Sequence, residues 1–547
     1  MRSIKLSFIM AILFFSVSFG QALDCDVPHP VYEFLSRAYN LNMIKEFDNF
    51  HLPLQRKYLS GKLREYLANN NLLSEDRKAA ELYLIELDKD YVDSLKQSYN
   101  LIAKEAYPFS ENTKRYFFSS YKKNEGNVSV NLVGELKVIT NENKTATLGS
   151  LGGIIEGSIH NSFGFYLFGT NGKLFGNKTA AYYEPSLKYN YKFNESAQQT
   201  FFDDTRGYLT YSNDFLKIKL GRDIQEIGYG FIKPLLDSNH PTFDYFSIAF
   251  DYSFFSYDAF TGKLLGSMSG TSWDSIQGTI TKVEEKYIGY NRMQFNFSPS
   301  TKLGVGEYII YSRRPMDLSY INPLIFHKSI EHSNQDRDNS MLFVDLSTRA
   351  YNSQLRFLLL LDDLDYSKLG TGWYGNQTII QTGISYYGLN PNIPADLHFD
   401  YIEIQPYVFS HRINENNFST FGYMIGFPLQ PNSRMVSTKI NYHPNPYLMI
   451  ELDYLYGKHG KNIKDSLGNV IQNVGGDFRV GYRINDPQKV FLLDGDKETL
   501  QRFALSIRSE YIKDIVIMFN LMRGNLDFTS SKLTEQTKIE FGTILKF

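Results

Sequence analysis

Between Tyr116 and the C-terminus, apolar and polar residues alternate with a period of two in segment after segment. Successive side chains of a β-strand point to opposite faces, so each segment is predicted to be a strand with one apolar and one polar face. The pattern is clear in Leu216–Leu220, Arg292–Phe297, Ile450–Tyr456, Asp477–Arg483, Arg502–Tyr511 and Lys538–Phe547.

The polar faces carry many charged side chains, such as Arg502, Arg508 and Glu510 in a single segment. These charges need a hydrated interior, whereas the apolar faces need lipid. A closed sheet satisfies both, because it leaves no unpaired backbone edge in hydrocarbon. The sequence therefore predicts a mainly β fold, a transmembrane antiparallel β-barrel.

Composition favours a barrel over a helical membrane protein. Aromatic residues make up 15% of the 547 residues, and the mean hydropathy is −0.32 although 42% of the residues are hydrophobic. A barrel needs this mixture, because every second strand residue faces a polar lumen. About 430 residues, at roughly 24 for each strand and its connection, predict about 18 strands. Loops or turns are predicted at Gly169–Gly176, Gly370–Asn376 and Ile463–Gly476.

The N-terminus has the form of a cleaved secretory signal peptide, residues 1–20. Arg2 and Lys5 precede a largely apolar stretch, Leu6–Phe19, which is too short to span a membrane as a helix. Cys25 is the single cysteine, so no disulfide can form within the chain. A lipidation site would have Gly or Ala where Asp24 precedes it. We expect an exported protein of the cell outer membrane.

Residues 21–115 show the helical period instead. Apolar residues recur at helical spacing in Val31–Ala38, in Leu59–Leu67 and from Ser74 towards Ala103. Each helix has one apolar stripe, which must pack on another helix or on the end of the barrel. The predicted organisation is a signal peptide (1–20), a small N-terminal helical periplasmic bundle (21–115) and the barrel (116–547).

Charge and the C-terminal residue indicate which partners to expect. The chain has 57 basic and 59 acidic residues, a net charge of −2. This balance argues against a general nucleic-acid binder, which needs a basic surface. The chain ends in Phe547 after an alternating strand, which is typical of barrels assembled by the outer-membrane insertion machinery. The expected partners are that machinery and outer-membrane lipid, with no nucleic acid.

Three regions together resemble one known family. They are His29–Ile44 (HPVYEFLSRAYNLNMI), Gly221–Gly230 with Pro234–Ile248, and Tyr290–His332 with Gln335–Ser347 and Leu358–Tyr366. In order and spacing these regions resemble the Wzi-type capsule assembly proteins, which are outer-membrane barrels. Where that family often has a tryptophan before a glycine, this chain has Ile227, Gly228 and Tyr229. The resemblance implies 18 strands, a periplasmic helical bundle and lectin-like polysaccharide binding without catalysis.

One segment, SRRPMDLSYINP, contains four candidate polysaccharide-binding residues: Arg313, Arg314, Tyr320 and Asn322. An acidic polysaccharide would need guanidinium groups for its carboxylates, an aromatic face for its sugar rings and an amide for its hydroxyls. The alternative is structural, because two prolines mark a loop whose polar residues could satisfy one another. Both interpretations stay open at this point.

Trp373 in GTGWYGNQT is the fifth candidate, since it could stack on a sugar at a loop tip or anchor in the membrane interface. Asp362 and Asp363 are adjacent, so on a regular strand they would point to opposite faces and could not form a catalytic pair. His327 and His332 lack the spacing of a zinc-binding helix. We therefore expect no metal, no cofactor and no catalytic residue.

The expected function is non-enzymatic binding of surface (capsular) polysaccharide, which would assist capsule assembly or attachment. Many weak contacts to a repetitive polymer would hold it by multivalency. Two alternatives stay open: an outer-membrane channel for solute uptake, and a hydrolase embedded in the barrel. Bilayer conductance would distinguish the first, and activity on phospholipid the second.

Overall fold

The computed structural model describes residues 22–70, 72–96, 98–102, 109–123, 125–188, 200–276, 278–322, 325–335, 337–389, 394–530 and 534–547. The predicted signal peptide, 1–20, lies outside these ranges. None of the described helices is long and apolar enough to cross a membrane.

Eighteen antiparallel strands form one closed barrel, as the alternating pattern predicts. The last strand closes on the first, with Lys538 opposite Asn141 and Lys546 opposite Val133. A short strand, Phe118–Lys122, pairs with the start of the first strand beyond this closure. The strands are β1 (Gly126–Asn141), β2 (Lys144–Ile159), β3 (Phe163–Gly176), β4 (Phe201–Ser212), β5 (Leu216–Asp223), β6 (Phe243–Tyr252), β7 (Phe255–Asp274), β8 (Gly278–Ser298), β9 (Thr301–Ser312), β10 (Asn339–Ala350), β11 (Ser353–Asp363), β12 (Gln377–Tyr386), β13 (Ala395–Ile404), β14 (Ser433–Asn445), β15 (Leu448–Lys461), β16 (Asp496–Ile512), β17 (Ile515–Asn525) and β18 (Glu535–Lys546).

The two faces of each strand are distributed as the period of two requires. On β18, Ile539 and Phe541 point outward and are exposed, whereas Lys538 and Glu540 point inward and are buried. Outward Leu151 and Phe297 are likewise 76% and 69% exposed. An apolar outer surface on a closed sheet is suited to lipid.

The two ends of the barrel differ in the length of their connections. At one end, here called the turn end, no connection exceeds the eight residues between β12 and β13. At the other, here called the loop end, the connections include 224–242, 313–338, 405–432 and 462–495. The chain therefore places its long, irregular segments at one end.

Four N-terminal helices pack together at the turn end: α1 (Val31–Asn40), α2 (Arg56–Leu67), α3 (Ser74–Leu87) and α4 (Lys89–Leu95). The Tyr39 hydroxyl donates to the Pro299 carbonyl in one turn at 2.7 Å, and Lys57 pairs with Asp214 in another at 2.8 Å. We call residues 22–70 and 72–96 the plug. The predicted domain boundary at residue 115 stays a prediction.

The third predicted helix is shorter than the sequence indicated. It ends at Leu87, because Asp88 adopts an extended conformation and caps a separate helix, α4. The Asp88 carboxylate accepts a hydrogen bond from the Tyr91 backbone N–H at 3.1 Å, which satisfies a donor at the start of α4. Residues 103–108, at the end of the predicted stretch, lie outside the described residues.

The plug is fixed to the barrel wall by ion pairs. Arg56 on α2 donates hydrogen bonds from its two terminal guanidinium nitrogens to the carboxylate of Glu156 on β2, at 3.0 and 2.8 Å. Asp24 accepts from Lys217 and Lys219 on β5 at 2.6 and 2.8 Å. These inward charges satisfy one another within the lumen.

Loops from the loop end also fold into the lumen. Residues 224–242, 405–432 and 473–495 contribute buried apolar side chains, such as Ile232, Phe409 and Phe478, to one core with inward residues Tyr308 and Phe343 of the wall. The expectation of a hydrated interior is therefore wrong near the loop end, because packed loops exclude water there.

The plug and one inward loop meet inside the barrel. His51–Leu52 pairs antiparallel with Glu226–Ile227 of the loop 224–242, and the Gly228 N–H donates to the Phe50 carbonyl at 2.8 Å. The Tyr229 hydroxyl also bonds to Asp48 at 3.1 Å. A segment from the turn end and a segment from the loop end thus form one continuous structure in the lumen.

Two local predictions are wrong. Asp477–Arg483 is a folded loop and not a strand, because Phe478 turns into the core without a neighbouring strand to pair with. Gly169–Gly176 belongs to β3 and is not a loop; a Cβ on Gly172 would lie 2.3 Å from the Phe202 ring, so glycine permits this packing.

The remaining short elements lie mostly at the loop end. They are α5 (Pro185–Lys188), α6 (Leu318–Ile321) and α7 (His327–Ser333), the 3₁₀ turns Lys178–Ala181, Tyr366–Lys368 and Asn414–Asn416, and the two-stranded pairs Ser98–Asn100 with Lys114–Tyr116, Ser419–Thr420 with Tyr423–Met424, and Ile463–Lys464 with Val470–Gln472.

Candidate functional site at the loop end

Two of the candidate residues, Arg314 and Tyr320, are engaged by one buried carboxylate. Asp338, 1% exposed, accepts two hydrogen bonds of 2.7 Å from Arg314 and one of 2.8 Å from the Tyr320 hydroxyl. The Arg314 guanidinium also lies 4.9 Å from the centre of the Tyr311 ring. This geometry favours the structural interpretation of these two residues, since their polar groups already have partners inside the protein.

The other two residues of that segment, Arg313 and Asn322, are exposed. Arg313 directly follows β9, and its backbone N–H donates to the Glu285 carbonyl at 2.9 Å. Its φ of +60° directs the chain out of the sheet at this point. The segment thus contributes one exposed guanidinium and one exposed amide to the loop end.

Trp373 belongs to a cluster of aromatic residues that the sequence did not reveal as a group. Its ring contacts that of Tyr374 at 5.5 Å, and Tyr374 stacks on Tyr482 at 3.6 Å with the rings 8° from parallel. The Lys368 ammonium lies 3.8 Å from the centre of the Trp373 ring. Phe491 packs on Gly372, where a Cβ would lie 2.7 Å from its ring.

The four rings Trp373, Tyr374, Tyr482 and Phe491 are here called the aromatic platform. Two loops bring them together: the Tyr374 N–H donates to the Gln488 carbonyl at 3.1 Å, and the Val490 N–H donates to the Gly372 carbonyl at 2.7 Å. Trp373, Tyr374 and Tyr482 are half-buried, and Phe491 is 55% exposed. The platform is therefore held by backbone pairing and still reaches solvent.

Chemically, the aromatic platform offers flat apolar faces beside charged groups. Aromatic rings combine an apolar body with defined edges and bury a large area when they pack. Lys368 pairs with Asp365 at 3.2 Å, and exposed Arg483 pairs with Asp486 at 2.7 Å. The site can stack on a ring with an apolar face and hydrogen-bond the polar groups around it.

The acidic residues of β11 show no arrangement for catalysis. Asp362 points inward and is buried, whereas Asp363 points outward and is exposed, as their adjacency predicts. Asp362 accepts a hydrogen bond from the Phe409 N–H at 2.7 Å and so holds the inward loop 405–432. Its role is structural.

His327 on α7 is buried, and burial lowers its pKa to about 4. The ring is therefore neutral near neutral pH. Among the described residues, no three His, Cys, Asp or Glu side chains are grouped to hold a metal ion.

Comparisons with known proteins bear on the fold. No protein-family model matches the sequence, and no curated protein matches it. Among solved structures, the outer-membrane protein Wzi of Escherichia coli, a carbohydrate-binding β-barrel involved in group 1 capsule assembly, superposes with a TM-score of 0.56 at 11% identity; the match covers 95% of this chain and 98% of Wzi. This chain and Wzi therefore share one β-barrel fold.

Two Pseudomonas aeruginosa outer-membrane proteins also match, with lower scores. OpdK with vanillate gives a TM-score of 0.45 at 12% identity over 77% of this chain and 98% of OpdK. OprD gives 0.41 at 10% identity over 77% and 95%. At 11% identity, the likeness to Wzi shows the fold alone.

Proposed function

We propose that this protein is an outer-membrane barrel of the Wzi type that binds surface polysaccharide at its loop end, without catalysis. Short connections of outer-membrane barrels face the periplasm and long ones face outward. This orientation directs the turn end and the plug to the periplasm and the aromatic platform to the cell surface. Outer-membrane lipid then surrounds the apolar face, and insertion uses the strand that ends in Phe547.

The aromatic platform is the observation that carries the proposal. Lys368 covers one face of the Trp373 ring and Tyr374 covers one face of the Tyr482 ring, and the remaining surface of these half-buried rings would contact sugars. Exposed Arg313 and Asn322 at the same end would contact carboxylates and hydroxyls. A polymer repeats its sugars, so several weak contacts raise the effective concentration of the next one. Capture by many loops is therefore sufficient to retain the polymer.

The filled lumen supports a binding role over the channel alternative. The plug enters from the turn end and several loops enter from the loop end, and the plug meets one of them at the pairing of His51–Leu52 with Glu226–Ile227. A diffusion channel needs a continuous aqueous path, which this packing obstructs. The barrel then serves as an anchor, with its function at the surface.

The test compares capsule retention in strains that carry variants of this protein. In a strain lacking the gene, polymer should be made but released to the medium, and the wild-type gene should restore retention. The double variant Trp373→Ala/Tyr482→Ala should restore it poorly, because the platform loses two ring faces. Tyr351→Ala is the matched control, since Tyr351 is 93% exposed in a connection of the turn end.

Equal retention by the double variant and wild type would refute the platform as the binding site. Large, steady conductance of the purified protein in planar bilayers would favour the channel alternative. The proposal expects conductance close to the bilayer background.

A further inference from the structure

The connection between β9 and β10 lies on the outside of the barrel and not in the lumen. We call its described part, residues 313–322, 325–335 and 337–338, the outer loop. It packs on Tyr311, which alternates on β9 with Ile310 of the lumen core and so points outward. The Tyr311 ring lies 5.0 Å from that of Tyr320 on α6, and Ile330 on α7 packs on the same cluster.

A charged residue on the outer face of β9 shows how far the outer loop descends along the wall. Glu307 alternates with inward Tyr308, so it points outward, yet it is only 1% exposed. Its carboxylate accepts hydrogen bonds from the His327 N–H at 2.6 Å and from the Asn291 side chain, on the outer face of β8, at 2.8 Å. The start of α7 therefore covers this carboxylate and satisfies it.

The height of the lipid-facing surface can be measured on another strand of the same barrel. The outward side chains of β15 are apolar or aromatic as far as Tyr456, and the next one is charged Lys458. Tyr456 is the ninth residue after the turn residue Tyr447. A tilted strand rises about 2.5 Å per residue along the barrel axis, so this surface is about 23 Å tall, close to the ~25 Å apolar band of transmembrane barrels.

On this scale Glu307 lies within the apolar band. It is the seventh residue after the turn residue Ser300, which places it about 18 Å from the turn end. Outward Leu303 and Val305 lie between the two. A carboxylate that faced lipid at this height would be costly without partners. The outer loop supplies these partners and takes the place of lipid against the wall.

The surface of the outer loop carries large apolar side chains. Phe326 is 52% exposed and Leu318, on α6, is 80% exposed. Phe326 directly precedes the N–H that Glu307 accepts, so it lies at about the height of Glu307. An exposed phenylalanine ring at this height meets acyl chains if the barrel is in a membrane.

The polar residues of α7 fit the same placement. Lys328 pairs with Glu331 at 2.9 Å, and Glu331 also accepts a hydrogen bond from the Ser340 hydroxyl, at the loop end of β10. Exposed His332 and Ser333 follow at the C-terminal end of α7. The helix therefore runs from the apolar band towards the polar end of the barrel, where lipid headgroups and water are present.

We propose that the outer loop is embedded in the leaflet of the outer membrane at the loop end, with Phe326 among the acyl chains and Leu318 at their boundary with the headgroups. Lipid is the occupant that this position favours, because the loop interrupts a surface that is otherwise apolar and suited to lipid. The proposal rests on the barrel in its membrane and not on sugar binding or on the aromatic platform.

The test measures whether water reaches position 326. Full-length Phe326→Met is reconstituted in vesicles of phosphatidylethanolamine and phosphatidylglycerol and exposed to hydroxyl radicals, and mass spectrometry gives the oxidation rate of each methionine. Two native methionines are internal references: Met293 is 48% exposed on the outer face of β8, and Met268 is 42% exposed on the part of β7 that extends beyond β6. The new methionine should be oxidised at the rate of Met293 and at least fivefold more slowly than Met268.

Leu467→Met is the matched variant for a loop position in water. Leu467 is 85% exposed in the loop 462–495, so the methionine there should be oxidised at least as fast as Met268. Heat-modifiable gel mobility reports that each variant is folded. Oxidation at position 326 as fast as in Leu467→Met would overturn the proposal.

A second measurement uses the wild-type protein. Vesicles that contain a phospholipid with a diazirine in the middle of one acyl chain crosslink, on illumination, to the protein surface that touches the chains. We expect crosslinks at Phe326 and at Phe297, which is 69% exposed on the outer face of β8, and none at Leu467. Crosslinks at Phe297 without any in the outer loop would contradict the embedded position. No polysaccharide is present in either experiment, so failure of the capsule-retention test leaves this proposal intact.

Discussion

Loss of the Arg56–Glu156 ion pair should loosen the plug without opening the barrel wall. The two side chains are 13% and 11% exposed, and the guanidinium makes two hydrogen bonds to the carboxylate. In Arg56→Met, the one side-chain hydrogen bond that the Glu156 carboxylate keeps among the described residues comes from the Ser129 hydroxyl at 3.5 Å. The variant therefore leaves the largely buried carboxylate of Glu156, on β2, without its ion-pair partner.

Removing one partner of a buried ion pair costs about 3–5 kcal/mol, and the residual exposure of both side chains favours the lower figure. About 3 kcal/mol corresponds to a roughly hundredfold larger population of plug-open molecules. The double variant Arg56→Met/Glu156→Met should regain most of this stability, because apolar replacement of both partners is often neutral.

Hydrogen exchange of the α2 amides, Arg56–Leu67, measures this opening directly. We expect exchange in α2 to accelerate by about two orders of magnitude in Arg56→Met, with β16–β18 unchanged as an internal reference. Wild-type exchange in Arg56→Met would refute the reasoning. So would a double variant as labile as the single one, because the effect would then come from lost packing and not from an unpaired charge.

Three further predictions concern the plug and the inward loops. Burial lowers the pKa of Lys89 to about 8, below its unfolded value of 10.5. Between pH 8 and 10.5 the unfolded state binds more protons than the folded state, so the stability of the plug, measured as protease resistance, should rise with pH. Lys89→Met should remove this dependence. Gly230 has a φ of +80°, and a Cβ there would lie 2.6 Å from the Asp400 carboxylate. Gly230→Ala should therefore destabilise the loop 224–242 by about 1–3 kcal/mol, which would lower the thermal unfolding midpoint. Cys25 is 2% exposed and burial raises its thiol pKa, so maleimide should label it only after unfolding.

Each of these has its own control. A pH dependence shared by wild type and Lys89→Met would assign it to other groups. Gly169→Ala should be neutral, since a Cβ at Gly169 meets nothing within 4 Å; equal losses at both glycines would contradict the steric argument. Rapid labelling of native Cys25 would contradict its burial, and no labelling after unfolding would indicate a modified thiol.

The barrel could be predicted from sequence because lipid and lumen impose opposite requirements on neighbouring residues. Lys538 and Glu540 are buried with Glu184, a loop residue, whereas Ile539 between them faces outward. Such a pattern is local, so it can be read without knowing which strands pair. The number of strands follows from chain length, since each crossing has a nearly fixed length.

The same local rule fails where tertiary packing decides. Phe478 and Tyr482 share one side of an alternating segment, yet Phe478 enters the core and Tyr482 joins the aromatic platform. Within the described ranges no strand pairs with that segment, so its alternation does not produce a strand. Alternation over seven residues indicates a strand only when a partner is available.

The candidate site was predicted in part. The sequence identified Trp373 and exposed Arg313, but it could not show that Asp338 would engage Arg314 and Tyr320. It gave no signal for Tyr374 or Phe491, because the platform forms only where two distant loops meet. Sugar binding at these residues remains a prediction.

The pairing of His51–Leu52 with Glu226–Ile227 joins the two ends of the molecule mechanically. The plug comes from the turn end and the loop 224–242 from the loop end, and they share backbone hydrogen bonds inside the barrel. A displacement of the plug on one side of the membrane would therefore pull directly on a loop of the other side.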